Sequence, residues 1–131
     1  MNIEMTKRYD IYRCNICGNI IQILHEGAGT LVCCGQDMEL VGTKIHEEGN
    51  EKHLPVVTLE GKKIVVDVGS VTHPMEDAHY IEWVEVINGD ESKKVFFKPG
   101  DTPHAEFLFE SIGQLKVREY CNIHGLWEVV V

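Results

Sequence analysis

The run Ile81-Glu82-Trp83-Val84-Glu85-Val86-Ile87-Asn88-Gly89-Asp90-Glu91-Ser92-Lys93-Lys94-Val95-Phe96-Phe97 reads as two strands joined by a turn. Ile81 and Trp83 share one face while Val84 and Val86 share the other, so both faces are partly apolar, as a strand inside a sheet requires. Asn88-Gly89 supplies the turn, and Lys93 to Phe97 is the return. Upstream, Ile64, Val66 and Val68 alternate with Val65 and Asp67, preceded by the apolar run from Leu54 to Leu59. Downstream, Pro99-Gly100-Asp101 leads to Ala105, Phe107 and Phe109 opposite Glu106, Leu108 and Glu110. Then Leu115, Val117, Glu119 and Cys121 alternate with Lys116, Arg118 and Tyr120, and Leu126 to Val131 forms a last strand. About seven short strands with no amphipathic helical stretch between them predict an all-β fold, a two-sheet antiparallel sandwich of immunoglobulin-like architecture. A closed barrel is the alternative.

Ahead of this block the chain changes character. Residues 42–50 are polar and read as a solvated linker, so the expected domains are 1–42 and 43–131. The first holds short strand-like pieces broken by Gly18, Gly27, Gly29 and Gly35, and is too short to fold on a hydrophobic core alone. It carries Cys14-x-x-Cys17 and the adjacent pair Cys33-Cys34. Four thiolates at this spacing suit a tetrahedral zinc or a mononuclear iron. A thioredoxin-like redox pair at Cys14 and Cys17 is the rival reading, but no βαβ pattern surrounds it.

Composition narrows the class of function. Of the 131 residues 44% are hydrophobic and 25% charged, values ordinary for a soluble globular protein. No apolar run approaches the roughly 20 residues of a membrane span. The first residues lack the apolar core of a secretory signal, so the expected compartment is the cytoplasm. A formal net charge of -9 argues against nucleic acid as a partner. It also repels anions at long range, so an anionic substrate would need a local positive site. The odd count of five cysteines fits metal ligation better than a disulfide framework.

A second group of metal-binding side chains is scattered along the sandwich: Glu51-Lys52-His53, then His73-Pro74-Met75, then His79, and finally Cys121-Asn122-Ile123-His124-Gly125-Leu126-Trp127. Each lies just outside a strand-like segment. Together with Gly69-Ser70-Val71-Thr72 before His73 and Pro55 after His53, these motifs closely resemble the superoxide reductases. With Cys14, Cys17, Cys33 and Cys34 included, the chain resembles their two-iron form, the desulfoferrodoxin family. Such proteins join a small desulforedoxin- or rubredoxin-like metal domain to a neelaredoxin-like sandwich. The resemblance covers nearly the whole chain, and its ordered combination of motifs is far more specific than an isolated C-x-x-C.

The resemblance implies two iron ions per chain. One would be held by Cys14, Cys17, Cys33 and Cys34, the other by His53, His73, His79 and His124 in a plane with Cys121 on the axis. The implied reaction is one-electron reduction of superoxide to hydrogen peroxide, protecting an anaerobe or microaerophile from oxidative stress. Lys52 would supply the local positive charge, and Glu51 would close the sixth position of the resting ferric ion. Rubredoxin is the implied electron donor and a homodimer the implied assembly. Two other readings stay open: an iron-thiolate electron carrier that does not turn over superoxide, and a zinc-stabilised binding module. His25, His46 and His104 read as surface residues, and Trp83 and Trp127 as packing. Pro74 and Met75 are expected to shape the turn between His73 and His79, and the backbone N–H groups of Ile123 and His124 to face the Cys121 sulfur.

Overall fold

The computed structural model describes residues 5–44 and 50–131, with the side chains of Asn50 and Glu51 outside that description. The chain divides into two compact units, Met1–Gly42 and Thr43–Val131. The first contains β1 (Ile11–Arg13), β2 (Ile20–Gln22), β3 (Val32–Cys33), β4 (Gln36–Asp37) and β5 (Glu39–Leu40). β1 lies between β2 and β5 in a three-stranded antiparallel sheet, and β3 and β4 form a separate hairpin. Ile11, Ile23 and Cys14 are buried, while Ile16, Leu24, Val32 and Leu40 are exposed. A core this small leaves most of the ordering entropy of the unit uncompensated.

The second unit contains β6 (Thr43–Lys44), α1 (Asn50–His53), β7 (Pro55–Glu60), β8 (Lys63–Val68), β9 (Ile81–Asn88), β10 (Glu91–Phe96), β11 (His104–Leu108), β12 (Leu115–Cys121) and β13 (Gly125–Val130). One sheet has the order β10-β9-β12-β13-β6 and the other β11-β8-β7. Ile64, Val66, Val68, Ala105, Phe107 and Phe109 meet Ile81, Val84, Val86, Leu115 and Val117 in one cluster between the sheets. Every second residue of β8 and β11 enters that cluster, which is why their alternation is so clean. β9 is buried on both faces along nearly its whole length. The architecture is therefore all-β and sandwich-like, with α1 as a single four-residue helical turn.

Three local features depart from the pattern expected of the sequence. Thr43–Lys44, within the stretch read as linker, pairs in parallel with Leu126–Trp127; two residues carry no periodicity that could reveal a strand. The β9–β10 turn centres on Gly89-Asp90, since Asn88 already pairs with Glu91, and Gly89 takes φ +63°. Glu85 and Arg118, both buried, form an ion pair joined by Lys94 Nζ at 2.9 Å and Ser92 Oγ at 2.7 Å. Removing one partner of such a pair leaves a desolvated charge, at a cost of about 3–5 kcal/mol.

Candidate metal centres

Two tight turns bring the four cysteines of the first unit together. Gly18, at φ +81°, donates its N–H to the Cys14 carbonyl at 3.0 Å and bends the chain back. Within that turn the Cys17 N–H points at Cys14 Sγ and the Asn19 N–H at Cys17 Sγ, both at 3.5 Å. On the other side, Cys33 pairs with Gln36, so Cys34-Gly35 is a two-residue hairpin turn. Both of its residues have positive φ, +53° and +76°, as a type I′ turn demands. Cys17 Sγ is 3.6 Å from Cys33 Sγ, and all four sulfurs lie within 4.8 Å of one another.

Four thiols this close cannot all ionise without a cation. The backbone N–H groups of Cys17 and Ile16 pull the Cys14 thiol down to about 6. Hydrogen bonding to Cys17 and Cys14 then pushes Cys33 up to about 12 and Cys34 upward as well. A bound cation removes that conflict by making all four thiolates favourable. The donor set fits a tetrahedral iron or zinc.

The second cluster stands at one end of the sandwich. His53 closes α1 just before β7 begins, His73 follows β8, His79 precedes β9, Cys121 ends β12, and His124 lies in the turn to β13. Pro55 pairs with Val68 in one sheet, and Cys121 with both Ile81 and Gly125 in the other, and the donor atoms at these strand ends meet. The ladder shifts register between Tyr120 and Cys121. Such an irregularity re-aims a side chain at a sheet end.

The four imidazoles form a closed ring. Centroid separations run 4.6 Å from His53 to His73, 4.8 Å to His79, 5.0 Å on to His124 and 4.8 Å back to His53. Adjacent rings are turned 69° to 84° from each other. His53 Nε2 is 3.0 Å from His73 Nε2 and 3.2 Å from His124 Nδ1. Cys121 Sγ is 3.9 Å from His124 Nδ1, and the five donor atoms lie within 4.8 Å of one another. Cys121 belongs to the hydrophobic core, whereas His124 is exposed.

Several contacts prepare these rings for a cation. His73 Nδ1 is 2.6 Å from the Pro74 carbonyl, which can only accept, so the proton sits on Nδ1 and the Nε2 lone pair faces the cluster. Burial pushes His73 down to about 4 and lowers His79, keeping both neutral. His79 Nε2 is buried without a hydrogen-bond partner among the described residues, a costly state for a polar atom unless a metal takes its lone pair. Burial raises the Cys121 thiol, opposed by the N–H groups of His124, at 3.5 Å, and Ile123. The residues present fit a divalent ion held by neutral imidazoles and one thiolate.

Lys52 is exposed beside His53, and its charge contributes to the lowering of His79. The Glu51 side chain and His46 lie outside the described residues. Neither His25 nor His104 belongs to a metal-binding group among the described residues. Met75 does anchor its turn: its thioether accepts the Ile81 N–H at 3.4 Å and its carbonyl the Gly100 N–H at 2.8 Å. Trp127 stacks on His53 at 4.8 Å and 13° and donates its indole N–H to the His124 carbonyl at 3.1 Å. Gly69 and Asn122 were given no role by the sequence, yet each holds a segment that carries a histidine of the cluster. A Cβ on Gly69 would lie 2.5 Å from the Lys52 carbonyl oxygen. The one signal available for Gly69 was its place at a strand end. Glu119, fully buried on β12 with neither carboxylate oxygen partnered among the described residues, was likewise missed, and burial raises its pKa well above the usual carboxylate range.

Comparisons with known proteins agree with this picture. The family described as desulfoferrodoxin, N-terminal domain, matches residues 6–41, and the family described as desulfoferrodoxin matches residues 45–130. A desulfoferrodoxin homolog from Archaeoglobus fulgidus is 52% identical over 95% of this chain and 98% of its own. A superoxide reductase from Pyrococcus abyssi is 36% identical over 60% of this chain and 84% of its own. The solved superoxide reductase of Treponema pallidum superposes with a TM-score of 0.72 at 25% identity, covering 98% of this chain and 99% of that one.

Proposed function

The chain belongs to the desulfoferrodoxin family, and from that membership and the two donor sets we propose that it is a superoxide reductase carrying two iron ions. In this reading Cys14, Cys17, Cys33 and Cys34 hold the first iron, and His53, His73, His79, His124 and Cys121 hold the second. The observation that carries it is the second donor set: four ring nitrogens around one centre and a single sulfur from the core. The second iron, when bound, supplies the one electron that converts superoxide and two protons into hydrogen peroxide.

The chain's own residues supply the rest. Lys52 offsets the acidic chain locally and draws the superoxide anion toward the exposed side of the cluster. Its neighbour Glu51 is the candidate for covering the site at rest. The Pro74 carbonyl fixes the His73 tautomer, and Trp127 braces the His53 ring from behind. The N–H groups of His124 and Ile123 temper the electron donation of the Cys121 sulfur. Rubredoxin or a similar small carrier is the proposed electron donor, and a homodimer the proposed assembly. The exposed Ile16, Leu24, Val32 and Leu40 of so small a first unit support the latter.

Rapid mixing of the reduced protein with superoxide tests the reading. The expected outcome is oxidation of the second iron with hydrogen peroxide formed and no dioxygen released from the site. A second iron that stays ferrous, while the four-cysteine iron exchanges electrons freely, would leave an electron carrier instead.

A further inference from the structure

His79 sits on the segment between β8 and β9, outside any strand. Glu76 and His79 exchange backbone hydrogen bonds of 2.9 and 3.0 Å, closing a small turn of their own. Met75 ties the leading side of that turn to the sandwich. On the trailing side the tie is Asn122. Its Oδ1 accepts the Tyr80 N–H at 2.9 Å, and its Nδ2 donates to the Ala78 carbonyl at 3.1 Å. The Asn122 backbone N–H adds a third bond, to the Tyr80 carbonyl at 3.3 Å. One carboxamide thus grips the peptide groups on either side of His79, as a strand neighbour would.

We propose that Asn122 is a positioning residue that fixes His79 against Cys121 and His124. The proposal rests on reading the five side chains as one ligand set. Asn122 stands between two of those ligands in the chain and brackets a third, so a single side chain sets the relative position of two loops. Among the described residues His79 Nε2 has no hydrogen-bond partner, so its aim rests on the neighbouring rings and on the backbone that carries it. An amide is suited to the task because it offers a donor and an acceptor side by side. Alanine removes both. Aspartate keeps the acceptor toward Tyr80 but sets oxygen against the oxygen of Ala78.

The test compares Asn122→Ala, Asn122→Asp and His79→Ala in the full-length protein loaded with iron at both sites. Release of each iron to a chelator is followed by visible absorption. For Asn122→Ala the second iron is expected to leave about 10- to 100-fold faster than in the parent, the scale of losing a partner that orients a ligand. Its thiolate charge-transfer band should shift, while the absorption of the four-cysteine site is unchanged. Asn122→Asp should behave likewise, and carries the comparison if the alanine variant does not fold. Release within about twofold of the parent and an unmoved band in the Asn122 variants, with iron lost from His79→Ala, overturns the clamp alone. If His79→Ala also retains its iron like the parent, the five-ligand reading has failed and the clamp with it.

Discussion

Lys52 shows how one side chain can matter in a field set by the whole chain. The formal charge of -9 opposes an anion at long range, so a cation standing near the target counts. Lys52→Ala is expected to slow the bimolecular step by roughly tenfold at low ionic strength and to flatten its salt dependence, with iron content intact. Stopped-flow rates measured across a salt series decide it; an unchanged slope would show that Lys52 does not steer. Residues whose chemistry lies in their own side chain were legible in this way. Four of the seven histidines and the five cysteines point to metal by type and order, whatever the backbone does. Gly69, Asn122 and Glu119 were not, because their importance lies in what the fold presses against them.

Segments such as the one from Gly69 to His73 turn on backbone fit. Gly69 has φ +79° and a Cβ there would meet the Lys52 carbonyl, whereas Gly61 has φ +65° with open space around it. Gly61→Ala should cost about 1 kcal/mol from conformation alone, and Gly69→Ala distinctly more, with weaker iron uptake at the histidine site. Denaturant midpoints of the two variants measure the difference; equal losses would mean that the close approach is relieved cheaply.

The β8–β11 pair carries a pH dependence of its own. His104 bonds Asp67 Oδ1 at 2.7 Å and Glu106 Oε2 at 3.0 Å, while Lys63 holds the other Glu106 oxygen at 2.8 Å. Hydrogen bonding to Glu106 and then Asp67 raises His104 above its usual 6.5. A raised histidine stabilises the fold fully below that value and loses its contribution as pH rises through the higher folded one. His104→Gln should therefore flatten the decline in stability on the alkaline side of 6.5. The effect should stay under about 1 kcal/mol because the pair is screened by solvent. Urea midpoints at several pH values would show it. Strands of five or more residues, such as β8, β9 and β12, could be read from their period. The two-residue β6, the four-residue α1 and the register shift beside Cys121 could not, since each depends on a partner strand or loop that local sequence does not specify.

At the scale of the molecule the two donor sets are independent, one drawn wholly from Met1–Gly42 and the other wholly from Thr43–Val131. Cys14→Ser is accordingly expected to remove the four-thiolate iron and loosen the first unit while leaving superoxide reduction largely in place. Metal analysis should fall from two irons to one; loss of both would show that the units depend on each other. That five metal-binding side chains from distant positions converge was suggested by their order, but the strand arrangement that makes them neighbours is a non-local result. The short parallel ladder between β6 and β13 has a practical corollary. A truncated protein drawn to the start of the matched sandwich region, residue 45, would omit Thr43 and Lys44. β13 would then lose its partner along Leu126–Trp127, leaving that part of the edge open to docking by a second copy. Two residues that read as spacer thus cover part of a sheet edge, and the second unit is best excised from residue 43 or earlier.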